Sequence, residues 1–181
     1  MGTIKATNIE PIADNGTVTL GSSGDTLTVP SGVTVAGLMA NTPAFRATMS
    51  ASQTVATGTF TKINFDTVDY DTNSAYNTTN KRFTVPTGYA GKYVFFASSN
   101  FNLDDIRNVT VFFYKNGSAY NFNRVQVESA SSNSFTSLVT SITINLSVGD
   151  YIEAYTKQEN GNDRSLNNIH SEFTGFKLIG V

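Results

Sequence analysis

One histidine, no cysteine and 14 acidic residues are the stock from which this chain could build chemistry. Without thiols there is no thiolate nucleophile, no cysteine-held zinc or iron–sulfur centre and no disulfide. The lone His170 cannot form a metal cluster, and no nucleophile motif is present to complete a Ser-His-acid triad, so a surface or interface role is expected for it. Carboxylates gather at Asp66, Asp69 and Asp71 and again at Asp104 and Asp105. A glycosidase would need two such groups opposed across a groove; these are instead expected to be solvated loop acids whose side chains bond their own turn backbone. Asp69, Asp71 and Asn73 imitate the opening of a calcium loop, but Ser74 stands at the glycine position and Asn80 at that of the closing glutamate, which excludes an EF-hand. Tyr114, Tyr120, Phe122 and Arg124 sit on two neighbouring stretches and could form a patch for a sugar or protein ligand. The plainer reading of alternating aromatics on adjacent strands is core or subunit interface. No enzyme and no required cofactor are expected.

These residues must be positioned by strands. Charged residues make up 14% of the 181-residue chain while Thr, Ser, Asn and Gly dominate the polar set, a mix that favours strands and tight turns over helices. The formal charge of -2 lacks the basic excess of a nucleic-acid binder. No apolar run approaches the ~18 residues needed to cross a bilayer. The opening MGTIKATNIEPIADNG has neither the apolar region nor the cleavage site of a signal peptide, so synthesis in a cytosol without membrane insertion is expected.

From Thr17 to Gly37 the pairs Val18/Leu20, Leu27/Val29 and Val33/Val35 alternate between Gly/Ser/Pro turn clusters and predict three short strands. One copy of so narrow a ribbon cannot bury enough apolar surface to offset its ordering entropy, so it is expected either to stay disordered or to fold by winding with identical neighbours. The pattern changes near residue 41, which divides the chain into a β-rich stalk or anchor, residues 1–41, and a knob, residues 42–181. Strands are predicted over 44–50, 59–66, 81–85, 91–98, 108–115, 118–127, 134–146, 151–156 and 169–181. Asn116-Gly117 is the clearest hairpin signal, since both turn positions of a type I′ turn need positive φ. Short strands at this spacing indicate an antiparallel sandwich or barrel.

Phe65, Asp71, Tyr76, Phe83 and Gly91-Lys92-Tyr93-Val94-Phe95 fall nearly at the spacing of the C1q-domain signature, with Ala97 where an aromatic stands in that family. Pro43-Ala44-Phe45-Arg46-Ala47 resembles the family's first strand, and Glu172-Phe173-Thr174-Gly175-Phe176-Lys177-Leu178 its closing strand. The resemblance implies an all-β, ten-stranded antiparallel jelly roll of the C1q/TNF group, assembled as a homotrimer. It implies signature positions at Phe65, Phe83, Gly91, Tyr93, Phe95, Phe173, Gly175 and Phe176, with Phe65, Phe83, Tyr93, Phe95 and Phe176 largely buried. Some such trimers bind calcium, and the resemblance extends that expectation to this chain. No Gly-X-Y collagen run is present; the ribbon takes its place, a combination that resembles virion structural proteins of tailed phages. The function this implies is a fibre tip or a head or tail appendage of a virion that touches a host surface glycan or protein, with other virion proteins held by residues 1–41. Alternatives are a purely architectural connector and a cellular adhesin.

Overall fold

Alternation builds the knob. In β1 (Ala44–Thr48) Phe45 and Ala47 are buried while Ala44, Arg46 and Thr48 are only half-buried, the period of two that turns successive side chains to opposite faces. The computed structural model describes residues 41–103, 108–127 and 134–179, with residues 19, 21–26, 28 and 31; at 102–103, 121–124, 126–127 and 134–136 it describes the backbone alone. The chain divides into two units, Met1–Leu38 and Met39–Val181. In the first, the turn at Ser22–Asp25 is closed by the Asp25 N–H donating to the Ser22 carbonyl at 3.0 Å and the Ser22 N–H donating to Asp25 Oδ2 at 2.6 Å. The rest of the expected ribbon lies outside the described residues.

The second unit is an antiparallel sandwich. The remaining strands are β2 (Gln53–Val55), β3 (Thr61–Lys62), β4 (Thr67–Asp71), β5 (Tyr76–Asn77), β6 (Arg82–Thr84), β7 (Gly91–Leu103), β8 (Val109–Lys115), β9 (Ser118–Val127), β10 (Ser134–Leu146), β11 (Tyr151–Gln158), β12 (Arg164–Asn167) and β13 (Glu172–Lys177). In the first sheet β2, β12, β7, β13, β1 and β4 are neighbours in that order, and β10 also pairs with β7 along its whole length. In the second, β5, β6, β11, β8 and β9 follow in order, with β3 added to β11. A 3₁₀ turn at Thr72–Ser74 is the one helical element among the described residues.

The core lies between the sheets and is largely aromatic. Phe173 packs its ring at 4.9 Å from Phe45 and within about 6 Å of Phe65, Tyr76, Phe95 and Phe113. Phe65, Phe83, Tyr93 and Phe95 are buried. Buried tyrosines keep their hydroxyls satisfied: Tyr76 donates to the Phe65 carbonyl at 2.8 Å and Tyr93 to the Tyr89 carbonyl at 2.6 Å. Burial, reinforced by Tyr89, pushes the Tyr93 hydroxyl up to about 12. Gly175 pairs with both Phe45 and Phe95. A Cβ there would lie 2.3 Å from the Phe95 ring, which is why a residue without one occupies this register.

Three expectations are corrected. Phe176 is half-buried, because it sits one residue from Gly175 and so faces outward with its partners Ala44 and Val94. The acidic stretch read as a loop is strand β4, paired with β1 from Phe45↔Asp71 to Thr48↔Thr67; an edge strand that turns Val68 to the core and Asp69 to solvent tolerates charges that a central one would not. The closing strand begins at Glu172 rather than at Ile169, since His170 has φ 66 and cannot continue a ladder. Four strands that no predicted range covers, β2, β4, β5 and β12, bring the strands to thirteen among the described residues.

The Asn116-Gly117 turn forms as expected, with φ of 51 and 77. It is tied to the Ser147–Asp150 turn: Asn116 Nδ2 donates to Asp150 Oδ1 at 2.8 Å, and the Tyr151 N–H donates to Asn116 Oδ1 at 2.9 Å. The Asn116 amide, the Ser147 N–H and Lys115 hold the Asp150 carboxyl at about 2, below its ordinary value of 3.8. The folded value is the lower one, so this contribution to stability is complete above 3.8 and fades as pH falls towards about 2. Asp150→Asn is therefore expected to flatten the acid limb of the melting profile in that window; an unchanged limb would show that the turn contributes nothing to acid stability.

Candidate functional site

The outer face of the second sheet carries a row of aromatic and charged side chains. On β11 the inward residues Ile152, Ala154, Thr156 and Gln158 are buried, which leaves Tyr151, Glu153, Tyr155 and Lys157 on the outside. Register does the rest: Glu153 opposes Tyr114, and Tyr155 opposes Phe112 on one side and Lys62 on the other. Tyr114 and Tyr155 stack with ring centres 3.8 Å apart, and Phe112 lies 5.5 Å from Tyr114 and 6.2 Å from Tyr155. Phe60 continues the row, its ring 5.3 Å from Phe112. Cations cap the rings: Lys157 lies 5.0 Å over Phe60, Lys62 lies 5.9 Å over Tyr155 and Arg82 lies 4.2 Å over Tyr151.

Glu153 is the unusual member. It is a carboxylate on the outer side of a sheet, yet only 4% exposed. Burying an unpaired carboxylate would be costly; Lys62 Nζ meets it at 2.5 Å and also donates to the Asn80 carbonyl. Burial, followed by the neighbouring Glu153 charge, raises the pKa of the Tyr155 hydroxyl, so it remains a donor at neutral pH. The face can stack against apolar surface and offer several hydrogen-bonding groups around it. Glu153 has no second carboxylate across from it among these groups.

Of the four ligand-facing residues read from the sequence, Tyr114 lies in this row. Tyr120 does not: it opposes Phe113 and packs against the core, because the β8–β9 register shifts between Val111 and Phe113. The side chains of Phe122 and Arg124 lie outside the described residues. Lys62, Arg82, Phe112, Glu153 and Tyr155 were missed, since they are scattered over four strands and only cross-strand register brings them together. The signal available was the Asn-Gly hairpin, which with the alternation on β11 fixes which residues of β8 share the outer face.

The acids disperse. Asp69 pairs with Arg46, which also meets Glu172 at 2.8 Å. Asp71 accepts from the Ala75 and Tyr76 N–H groups, both at 3.0 Å, as expected for an acid serving its own turn. Asn73 donates to the Tyr89 hydroxyl at 2.9 Å. The three members of the calcium-like stretch thus have three separate partners. Asp104 and Asp105 lie outside the described residues.

The outer face of the first sheet differs. Cross-strand pairing places Tyr70, Arg46, Thr174 and Phe96 in one row, with Val139 two positions along β10 from Ser141, the partner of Phe96. Tyr70, Phe96 and Val139 are 48%, 38% and 60% exposed. A groove of about 460 Å³ crosses this face between Arg46, Ser98, Val139, His170 and Glu172.

Comparison with known proteins agrees with this architecture. The chain resembles the globular domain of zebrafish complement 1qA, at 17% identity, with 75% of this chain and 97% of that one covered and a TM-score of 0.53. Murine APRIL crystallised at pH 8.5 is similar at 12% identity, covering 75% and 98% of the two chains with a TM-score of 0.55. No protein of curated function matches in sequence. The C1q domain family profile matches residues 44–178, the span from β1 to just beyond β13, and the chain belongs to the C1q domain family.

Proposed function

We propose that the chain is a homotrimeric, non-catalytic adhesive knob of a virion, a fibre tip or a head or tail appendage, attached through residues 1–41. The observation that carries the trimer is the outer face of the first sheet, where Tyr70, Phe96 and Val139 stand exposed together with half-buried Phe176. A patch of large apolar side chains on a monomer marks an interaction surface, and symmetric self-association buries it with the same residues three times over. The second sheet then remains free to face a partner. Weak sites repeated on one rigid head, and on many heads per particle, give firm attachment without catalysis. The virion setting is supported by the Gly/Ser-punctuated ribbon with its Ser22–Asp25 turn standing where a collagen stalk is absent.

The full chain is expected to sediment as a species of about 58 kDa, three copies of the 19.5 kDa chain. Val139→Asp changes an exposed position and is expected to yield a folded monomer. A monomeric wild type at micromolar concentration would defeat the trimer, and a trimer undisturbed by Val139→Asp would move its interface off this face.

A further inference from the structure

The three lysines beside the aromatic row are each matched to an acid: Lys62 to Glu153 and Lys157 to Glu159, both at 2.5 Å, and Lys115 to Asp150 at 3.0 Å. Arg82 is not. It forms no ion pair among the described residues, its guanidinium lies over the Tyr151 ring, and its Nε is buried with no hydrogen-bond partner. A guanidinium fork is shaped to meet a carboxylate through two parallel N–H donors. The charge of Arg82 is therefore uncompensated and directional.

Next to it runs the row Tyr155, Tyr114, Phe112 and Phe60. Tyrosine rings present apolar carbon with a polar tip, which matches a pyranose ring, whose C–H faces alternate with hydroxyls. The available apolar surface is small, since Phe112 is only 3% exposed and lies beneath the row, and of these rings only Phe60, at 52%, is largely exposed. A specific protein partner needs roughly 800 Å² on each side. A few sugar units need far less.

We propose that this face binds a carboxylate-bearing saccharide, with the acid group on Arg82 and the ring against the Tyr155–Phe60 row. The inference rests on the adhesive reading and names the ligand class of that knob. A neutral sugar could accept hydrogen bonds from Arg82 but would leave its charge uncompensated, so the acid is the ligand the site prefers.

The test is titration calorimetry of the full chain with acidic trisaccharides ending in galacturonate, glucuronate or sialate, each against its uncharged methyl ester. At least one acid is expected to bind ~10-fold or more tightly than its ester. Arg82→Gln is expected to abolish that preference with only a small fall in melting temperature, from the stacking lost over Tyr151, and Arg82→Lys to restore only part of it, because the charge returns without the fork. Tyr155→Ala is expected to weaken acid and ester alike. Equal binding of acid and ester, a preference that survives Arg82→Gln, or no binding by any of the sugars would overturn the proposal. Adherence to host cells that persists unchanged in Arg82→Gln would sink the saccharide assignment while leaving adhesion standing. An unaltered chain that binds the acid yet adheres to no cell would sink the adhesive reading alone.

Discussion

Phe173→Ala is expected to cost the knob about 3–5 kcal/mol, seen as a fall in melting temperature of roughly 6–20 °C for a chain of this size. The side chain is fully buried and touches rings from both sheets: Phe45 and Phe95 on its own, Tyr76 and Phe113 opposite, with Phe65 between strands. The cavity left behind cannot collapse easily, because its walls are rings held by several strands at once. Phe176→Ala is the matched control, three residues along the same strand but on the outer, half-buried face. It is expected to lose only about 1 kcal/mol of fold stability. Calorimetry on both variants in the monomeric Val139→Asp background decides, since Phe176 lies on the proposed trimer face and assembly would otherwise shift its value. Equal losses for the two variants would mean that the β13 register is wrong by one residue.

Deleting residues 1–41 is expected to leave the knob folded while abolishing its incorporation into particles. Every strand of the sandwich lies in the unit Met39–Val181, so the truncated chain retains all the pairings described above. Under the proposed function, the ribbon's backbone edges and apolar pairs are what a neighbouring virion protein, or two sister chains, would pair with. Particles assembled with the truncated gene would be assayed for the protein by mass spectrometry. Incorporation at the normal level would place the docking surface on the knob and remove the anchor role from the N-terminal segment.

The sequence disclosed the long strands and two short ones, β3 and β6, but not β2, β4, β5 and β12, for physical reasons. β8 and β9 were legible because Asn116-Gly117 sets a turn of one kind between alternating runs. β4 was not, since Asp69 and Asp71 carry the chemistry of a loop and become strand only through pairing with β1, a tertiary effect that overrides local preference. The same limit applied to the functional face. Tyr114 was visible as an aromatic on a strand, but that it stacks on Tyr155 and neighbours a buried Glu153 depends on the β8–β11 register, which joins residues some 40 positions apart. Tyr120 was misplaced because the β8–β9 irregularity shifts register within the hairpin, and such a shift leaves little trace in composition.

The position of β13 bears on how the chain is made. It lies between β1 and β7, so that Ala44 pairs with Phe176 and Phe95 with Gly175. During synthesis β1 leaves the ribosome long before the strand that must join it to the sheet. Until Lys177 has emerged, the inner edges of β1 and β7 stay open and their aromatic faces uncovered, a state exposed to aggregation. Long-range pairings of this kind also close slowly, on the scale of milliseconds to seconds. The sandwich must therefore fold after translation of the domain rather than along with it, and a cell producing many copies at once would depend on chaperones to keep the half-made sheets apart.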